Sequence, residues 1–333
     1  MRKLKLVALV LATATSSAVL TTSQVNAAEA VDLRFATVGI GSAWYNYGAG
    51  IADIAMAALP AGSNIDVLPI AGGVGNMKLL QKGEAELAIS FQMPAAEACG
   101  GFGSFDKKHD KVRGIIGGLD SYYFSAFMTK ASGVTSWQQI AGGKAGVKLL
   151  TTKVGGTGET GVRQVLALLG SSKDAVASKG GSVKAMARKA TGSAIADGKA
   201  DGWAHVVTRG HPVATQLTTT TDMILVGLPD NIIKGMVEKH GWVPATVPAN
   251  TFKGQTGPVK TVQASSNIMV SSEVADDVVY AFTKAIIANV DKVRKIHSGL
   301  ANLDLKEAAK PGYIGNCARH PGAEKALKEA GLL

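Results

Sequence analysis

Two cysteines, Cys99 and Cys317, are all that 333 residues contain, so neither a cysteine-rich zinc module nor a dense disulfide framework is available. Aromatic side chains are sparse at 5% of the chain, and they do not interleave with basic residues. Lys107-Lys108 and Arg188-Lys189 stand as isolated pairs, so nucleic acid is not expected as a partner. The six histidines (109, 205, 211, 240, 297, 320) are scattered, and no His/Cys/Asp/Glu run has metal-ligand spacing, so neither a metal nor another cofactor is expected. A GxSxG elbow is missing, and no histidine has a Ser or Cys partner at motif spacing. Beyond residue 20 no apolar stretch approaches the ~18 residues a membrane span needs.

What is present begins with the leader. Arg2, Lys3 and Lys5 precede an apolar stretch from Leu6 to Leu20, and small residues stand before a cut after Ala27. These are the three parts of a secretory signal peptide, so residues 1–27 are expected to be removed on export to the periplasm. The remaining 306 residues suffice for two domains and keep 32 basic against 25 acidic side chains, a net +7. In an exported chain the two cysteines form either one bridge or two small buried thiols; sequence separation leaves both open.

Strand-like and helix-like segments alternate along the chain, which argues an α/β fold with largely parallel sheets. Strands are expected at Val31–Val38, Ile65–Ile70, Ala88–Phe91, Ala145–Lys153, Trp203–Val207, Met223–Val226 and Asn267–Val270. A continuous run from Leu119 to Lys130 reads as a long strand crossing between domains. Ser272 is expected to cap a long helix with Val278, Val279, Phe282, Ile286 and Val290 on one face.

The most informative stretch runs from Val154 to Gly170. A β-prone segment enters a glycine turn that opens a helix, and Val162, Val165, Leu166 and Leu169 recur at helical spacing. Gly156, Gly158 and Gly161 spell GxGxxG, the dinucleotide fingerprint. That reading needs the first strand of a βαβ unit and an acid about 20 residues on. Here the motif lies mid-chain and the nearest such acid, Asp174, falls at a helix end. The favoured reading is an anion cradle, in which first-turn N–H groups and the helix dipole face a ligand.

Several segments jointly resemble one family, the TAXI-type solute receptors of tripartite TRAP transporters. Arg34 to Gly48 resembles the family's opening strand, glycine turn and paired aromatics. Gly72-Gly73-Val74-Gly75-Asn76, then Leu79 to Ala88, resembles its next turn, helix and strand entry, and Phe91-Gln92 the glutamine ending that strand. Residues 155–166 are similar, without gaps, to its "GSGTEVNARQIL" run. Val278-Val279-Tyr280 and His320 to Lys325 resemble later signatures, His320 being expected to serve structure.

The resemblance implies a type II periplasmic-binding-protein fold: two α/β domains, hinge strands and a ligand cleft. The first domain would comprise 31–123 plus 260–333 and the second 124–259. It implies a monomer that binds a small organic acid (a dicarboxylate, a 2-oxo acid such as 2-oxoglutarate, or glutamate) and delivers it to a membrane permease without chemistry. The ligand residues implied are Ser42, Trp44, Tyr45, Gly73, Val74, Gln92, Gly156, Thr157, Gly158, Trp203 and His205. Relatives commonly carry an aspartate just after the glutamine, where this chain has Met93-Pro94, which favours an acid lacking an ammonium group. An exported enzyme acting on a small anionic substrate is the alternative class, since paired carboxylates need not be adjacent in sequence.

Overall fold

The computed structural model describes residues 29–333 apart from 71, 153 and 155, so the expected leader lies outside the described residues. In chain order the first four strands are β1 (Asp32–Ala36), β2 (Asn64–Leu68), β3 (Leu87–Phe91) and β4 (Val112–Ile116). Helices α1 (Ala43–Met56), α2 (Gly73–Lys82) and α3 (Gln92–Gly100) are set among them. Next come β5 (Tyr122–Thr129), β6 (Lys148–Thr151), β7 (Ser182–Ala185), β8 (Gly202–Val207), β9 (Met223–Val226), β10 (Val243–Val247) and β11 (Val259–Ala264). Last is β12 (Ser266–Ser271).

These strands form two sheets. The first has the order β2-β1-β3-β12-β4, with β1, β2 and β3 parallel and β12 running against both its neighbours. The second has the order β10-β11-β5-β8-β6-β7, with β9 paired to β5. The chain therefore passes between the sheets twice, through residues 117–121 and at Ser265. By pairing, all of β11 belongs to the second sheet, so the return crossing lies a few residues beyond the expected boundary at 260.

Each lobe has its own core. In the first, Phe35 packs edge-on against Phe282 and Ile51 fills the space between α1 and the sheet. In the second, Phe124 is stacked on Trp137 and edge-on to Trp242, above Val162, Val165 and Leu166 of the helix Thr157–Leu168. Gly161 explains part of the glycine pattern: a Cβ there would lie 2.6 Å from the Phe124 ring. A Cβ at Gly158 would run into His205 of β8. Two glycines of the GxGxxG thus let a helix lie close on a sheet, and neither has positive φ.

The expected Ser272 cap is corrected. The helix Asp276–Ala288 begins three residues later, after Ala275, with no side-chain cap. Asp276 and Asp277 in its first turn supply the negative charge that its N-terminus favours. The helix also ends at Asn289, so Val290 opens a separate helix, Val290–Ile296.

Cys99 and Cys317 are bridged, with Cα atoms 5.6 Å apart, joining α3 to the C-terminal segment. No helix among the described residues is long and apolar enough to cross a membrane.

Candidate ligand cleft

A cavity of about 540 Å³ opens between the lobes. One wall comes from the turns that follow β1 and β2 and from the start of α3; the other comes from the helix Thr157–Leu168. Carboxyl ends of parallel strands are where open α/β sheets take ligands, because the helices that follow turn their free N–H groups there.

The turn after β1 ends in Ser42, whose Oγ accepts the Tyr45 N–H at 3.1 Å and so caps α1. Ser42 and Trp44 line the cavity, whereas half-buried Tyr45 does not. Trp44 is nearly buried, lies edge-on to Phe91 at 4.8 Å, and donates its indole N–H to Ser266 Oγ at 2.8 Å. The turn after β2 contributes Gly73 and Val74. Gly72 and Gly73 there have φ of 76° and 28°, a backbone that side chains disfavour.

Asn76 fixes this turn. Fully buried, it accepts the Gly72 N–H at 2.9 Å and donates to the carbonyls of Thr37 and Ile89 at 2.9 and 2.8 Å. One amide thus holds together the ends of β1 and β3 and the turn between β2 and α2. It was not among the expected site residues, although a polar residue four after a double glycine is a visible signal.

Gln92 is placed differently from the ligand role expected for it. It is fully buried, donating to the Gln263 carbonyl at 2.9 Å and accepting the Ser265 N–H at 2.7 Å. Both ends of its amide are therefore engaged by the second crossing between the lobes. Trp203 is likewise fully buried, stacked on Phe127 in the second core, and lines neither this cavity nor the one beside it.

On the other wall, Gly156 is the N-cap and Thr157 the first residue of the helix. The Glu159 N–H is taken by Thr152 Oγ1 at 3.2 Å, leaving the N–H groups of Thr157 and Gly158 at the positive end of the dipole. Glu159 itself is buried and pairs with Lys173 and, at 3.8 Å, with Arg163, so its charge is matched away from the cleft. Thr157 is shared with a neighbouring cavity of about 520 Å³, lined also by Gly156, Thr152 and His205. Gly158 abuts His205 behind the first turn. Seven expected residues (Ser42, Trp44, Gly73, Val74, Gly156, Thr157, His205) thus face these two neighbouring spaces; Tyr45, Gln92, Gly158 and Trp203 lie outside them.

Glu97 is the one charged side chain among the described residues lining the main cavity, and its carboxylate accepts the Ser104 N–H at 3.0 Å. Behind Trp44 lies a second carboxylate, on the first crossing. Asp120 Oδ1 accepts the Ser266 N–H at 2.8 Å and the Ser266 hydroxyl at 2.7 Å, and the hydroxyls of Tyr47 and Tyr122 approach the same group. Burial pushes its pKa up to about 6 against these donors, which favour the charged form. Both tyrosines are pushed upward, by burial first and then by the neighbouring Asp120.

Residues 35–331 match the model of the NMT1-like family. The chain belongs to the NMT1-like family. No curated protein matches the sequence. Among solved structures, a TctC solute-binding protein from Polaromonas has a TM-score of 0.52 at 11% identity, over 81% of this chain and 88% of that one. A TRAP periplasmic solute-binding protein from Rhodobacter sphaeroides aligns at 0.47 and 10%, over 91% and 90% of the two chains. MatC from Rhodopseudomonas palustris, with bound malate, aligns at 0.49 and 12%, over 90% and 96%. The fold is that of periplasmic binding proteins: two α/β lobes, two connecting segments and a cleft between them.

Proposed function

We propose that the protein is an exported solute receptor that captures a small organic acid in the interlobe cleft and hands it to a membrane permease, as a monomer and without turnover. The observation that carries this reading is the composition of the cleft. The N-terminus of the helix Thr157–Leu168, with Thr157 in the wall, faces glycine turns and aromatic rings across a cavity of about 540 Å³, a volume suited to a small molecule. The lobes, divided at residues 117–121 and at Ser265, would close about these two crossings, driven by contacts made only when ligand bridges the walls.

The finer assignment is to the TAXI-type receptors of TRAP transporters, with location in the periplasm. Support comes from the residue runs around Ser42, Gly73 and Gly156 that resemble that family and that meet at the cleft. Expected ligands are dicarboxylates and 2-oxo acids such as 2-oxoglutarate, with glutamate disfavoured. Met93-Pro94 brings no carboxylate for an ammonium group at the position after Gln92.

Native mass spectrometry of the processed protein, followed by thermal-shift screening against dicarboxylates, 2-oxo acids and amino acids, tests the proposal. A co-purified small acid and a melting shift rising with ligand concentration are expected. A flat response across the whole panel would sink it.

A further inference from the structure

Four helical threonines in this chain satisfy their own hydroxyls. Thr191, Thr218, Thr220 and Thr283 each donate to the carbonyl four residues back, at 3.3, 2.9, 2.9 and 2.7 Å. Thr157 and Thr160 make no such bond: neither hydroxyl has a partner among the described residues, and both line the cleft. Gln164 lies four residues further on. The positions i, i+3 and i+7 put all three on one face of the helix Thr157–Leu168, and that face is a cavity wall.

Gln164 is only 8% exposed, and what surface it keeps borders the cavity. Its Oε1 accepts the indole N–H of buried Trp242 at 2.8 Å. Indole is a donor only, so this bond also decides which end of the amide is which. The Nε2 donor is consequently turned away from Trp242, has no partner among the described residues, and belongs to a residue whose remaining surface borders the cavity. An oriented, unpaired amide donor in a nearly buried side chain is the strongest polar signal in the cleft.

Resting on the receptor reading above, we infer that Thr157, Thr160 and Gln164 form the ligand-reading stripe, with Gln164 as the residue that selects acids carrying an oxygen acceptor at both ends. One carboxylate meets the helix N-terminus beside Thr157. The far oxygen meets Gln164 Nε2. Seven residues of helix advance about 10 Å, and side chains lean back toward the N-terminus, so the two acceptors fall roughly 5–10 Å apart. Trp242 acts through Gln164 and is a positioning residue.

The test uses titration calorimetry on the full processed protein with glutarate and 2-oxoglutarate as two-ended probes and valerate as a one-ended comparator. Gln164→Glu keeps an oxygen for Trp242 and removes the donor; Gln164→Met removes the donor without adding charge. Both variants should weaken the two-ended acids about 10- to 100-fold, the cost of facing a buried acceptor with no donor, and the uncharged Gln164→Met should change valerate by no more than about threefold. Ligand-free melting separates binding loss from misfolding, and Trp242→Phe should narrow the preference for two-ended over one-ended acids while leaving the valerate affinity in place. Wild-type protein that binds the two-ended acids with an affinity both Gln164 variants retain would overturn the inference alone. Wild-type protein that binds none of the acids would overturn the receptor reading, and the inference with it.

Discussion

Trp44 and Asp120 meet on a single hydroxyl. The indole N–H of Trp44, in the cleft wall, donates to Ser266 Oγ at 2.8 Å, and that oxygen donates in turn to Asp120 Oδ1 at 2.7 Å. Ser266 follows the second crossing directly and Asp120 lies on the first, so both connections between the lobes and the cleft wall share one hydrogen-bonded chain.

That chain gives folding stability a definite pH dependence. The folded-state pKa of Asp120, about 6, lies above its ordinary 3.8, so the folded protein holds a proton that the unfolded chain has lost between those values. Stability attributable to Asp120 therefore falls as pH rises from about 4 to about 6, and the cost is complete above that. Asp120→Asn keeps the acceptor for Ser266 and removes the charge. Urea unfolding of both proteins from pH 4 to 8 should show the variant gaining up to roughly 3 kcal/mol at the upper end and little at the lower. Difference curves that stay parallel throughout would contradict the assignment.

The glycine loop makes a steric prediction. Gly161→Ala sets a methyl 2.6 Å from the Phe124 ring, between two stacked layers of core, and should cost about 1–3 kcal/mol. Gly170→Ala, in open space with φ of 68°, should cost less, since only backbone strain opposes it. Denaturant midpoints at constant slope would show the order; an unaffected Gly161→Ala would mean that the helix does not lie as close to β5 as described.

Removing the bridge should matter more than either. Replacing Cys99 and Cys317 by serine opens a loop of 218 residues' separation, for which chain entropy suggests up to about 5 kcal/mol, with measured losses more often 2–5. Thermal unfolding with and without reductant is the direct comparison, and the serine variant should be indifferent to reductant.

Much of the frame was legible from pattern. β9 falls at Met223–Val226 as expected, and Val162, Val165 and Leu166 bury the face their spacing implied. Spacing works for these because burial on one side imposes a period. The polar assignments depended on distant partners. Gln92 looked like a ligand residue because its own segment ends at the cleft, but its partners Gln263 and Ser265 lie 171 and 173 positions away. Trp203 faces away because β8 is a central strand with a packed layer on that side, a matter of sheet order that local sequence does not encode. Gln164 was readable in hindsight: a polar residue beside Val165 and Leu166, seven after Thr157, is an interruption that burial alone does not ask for.

The bridge between α3 and the C-terminal segment has a topological meaning. The chain leaves the first lobe after Cys99, builds the entire second lobe, and returns before Cys317. The second lobe thus lies wholly inside a covalent ring whose bridge belongs to the first lobe. Its departure at 117–121 and its re-entry at Ser265 are held together by the pairing of β4 with β12, and the bridge closes the ring outside that pair.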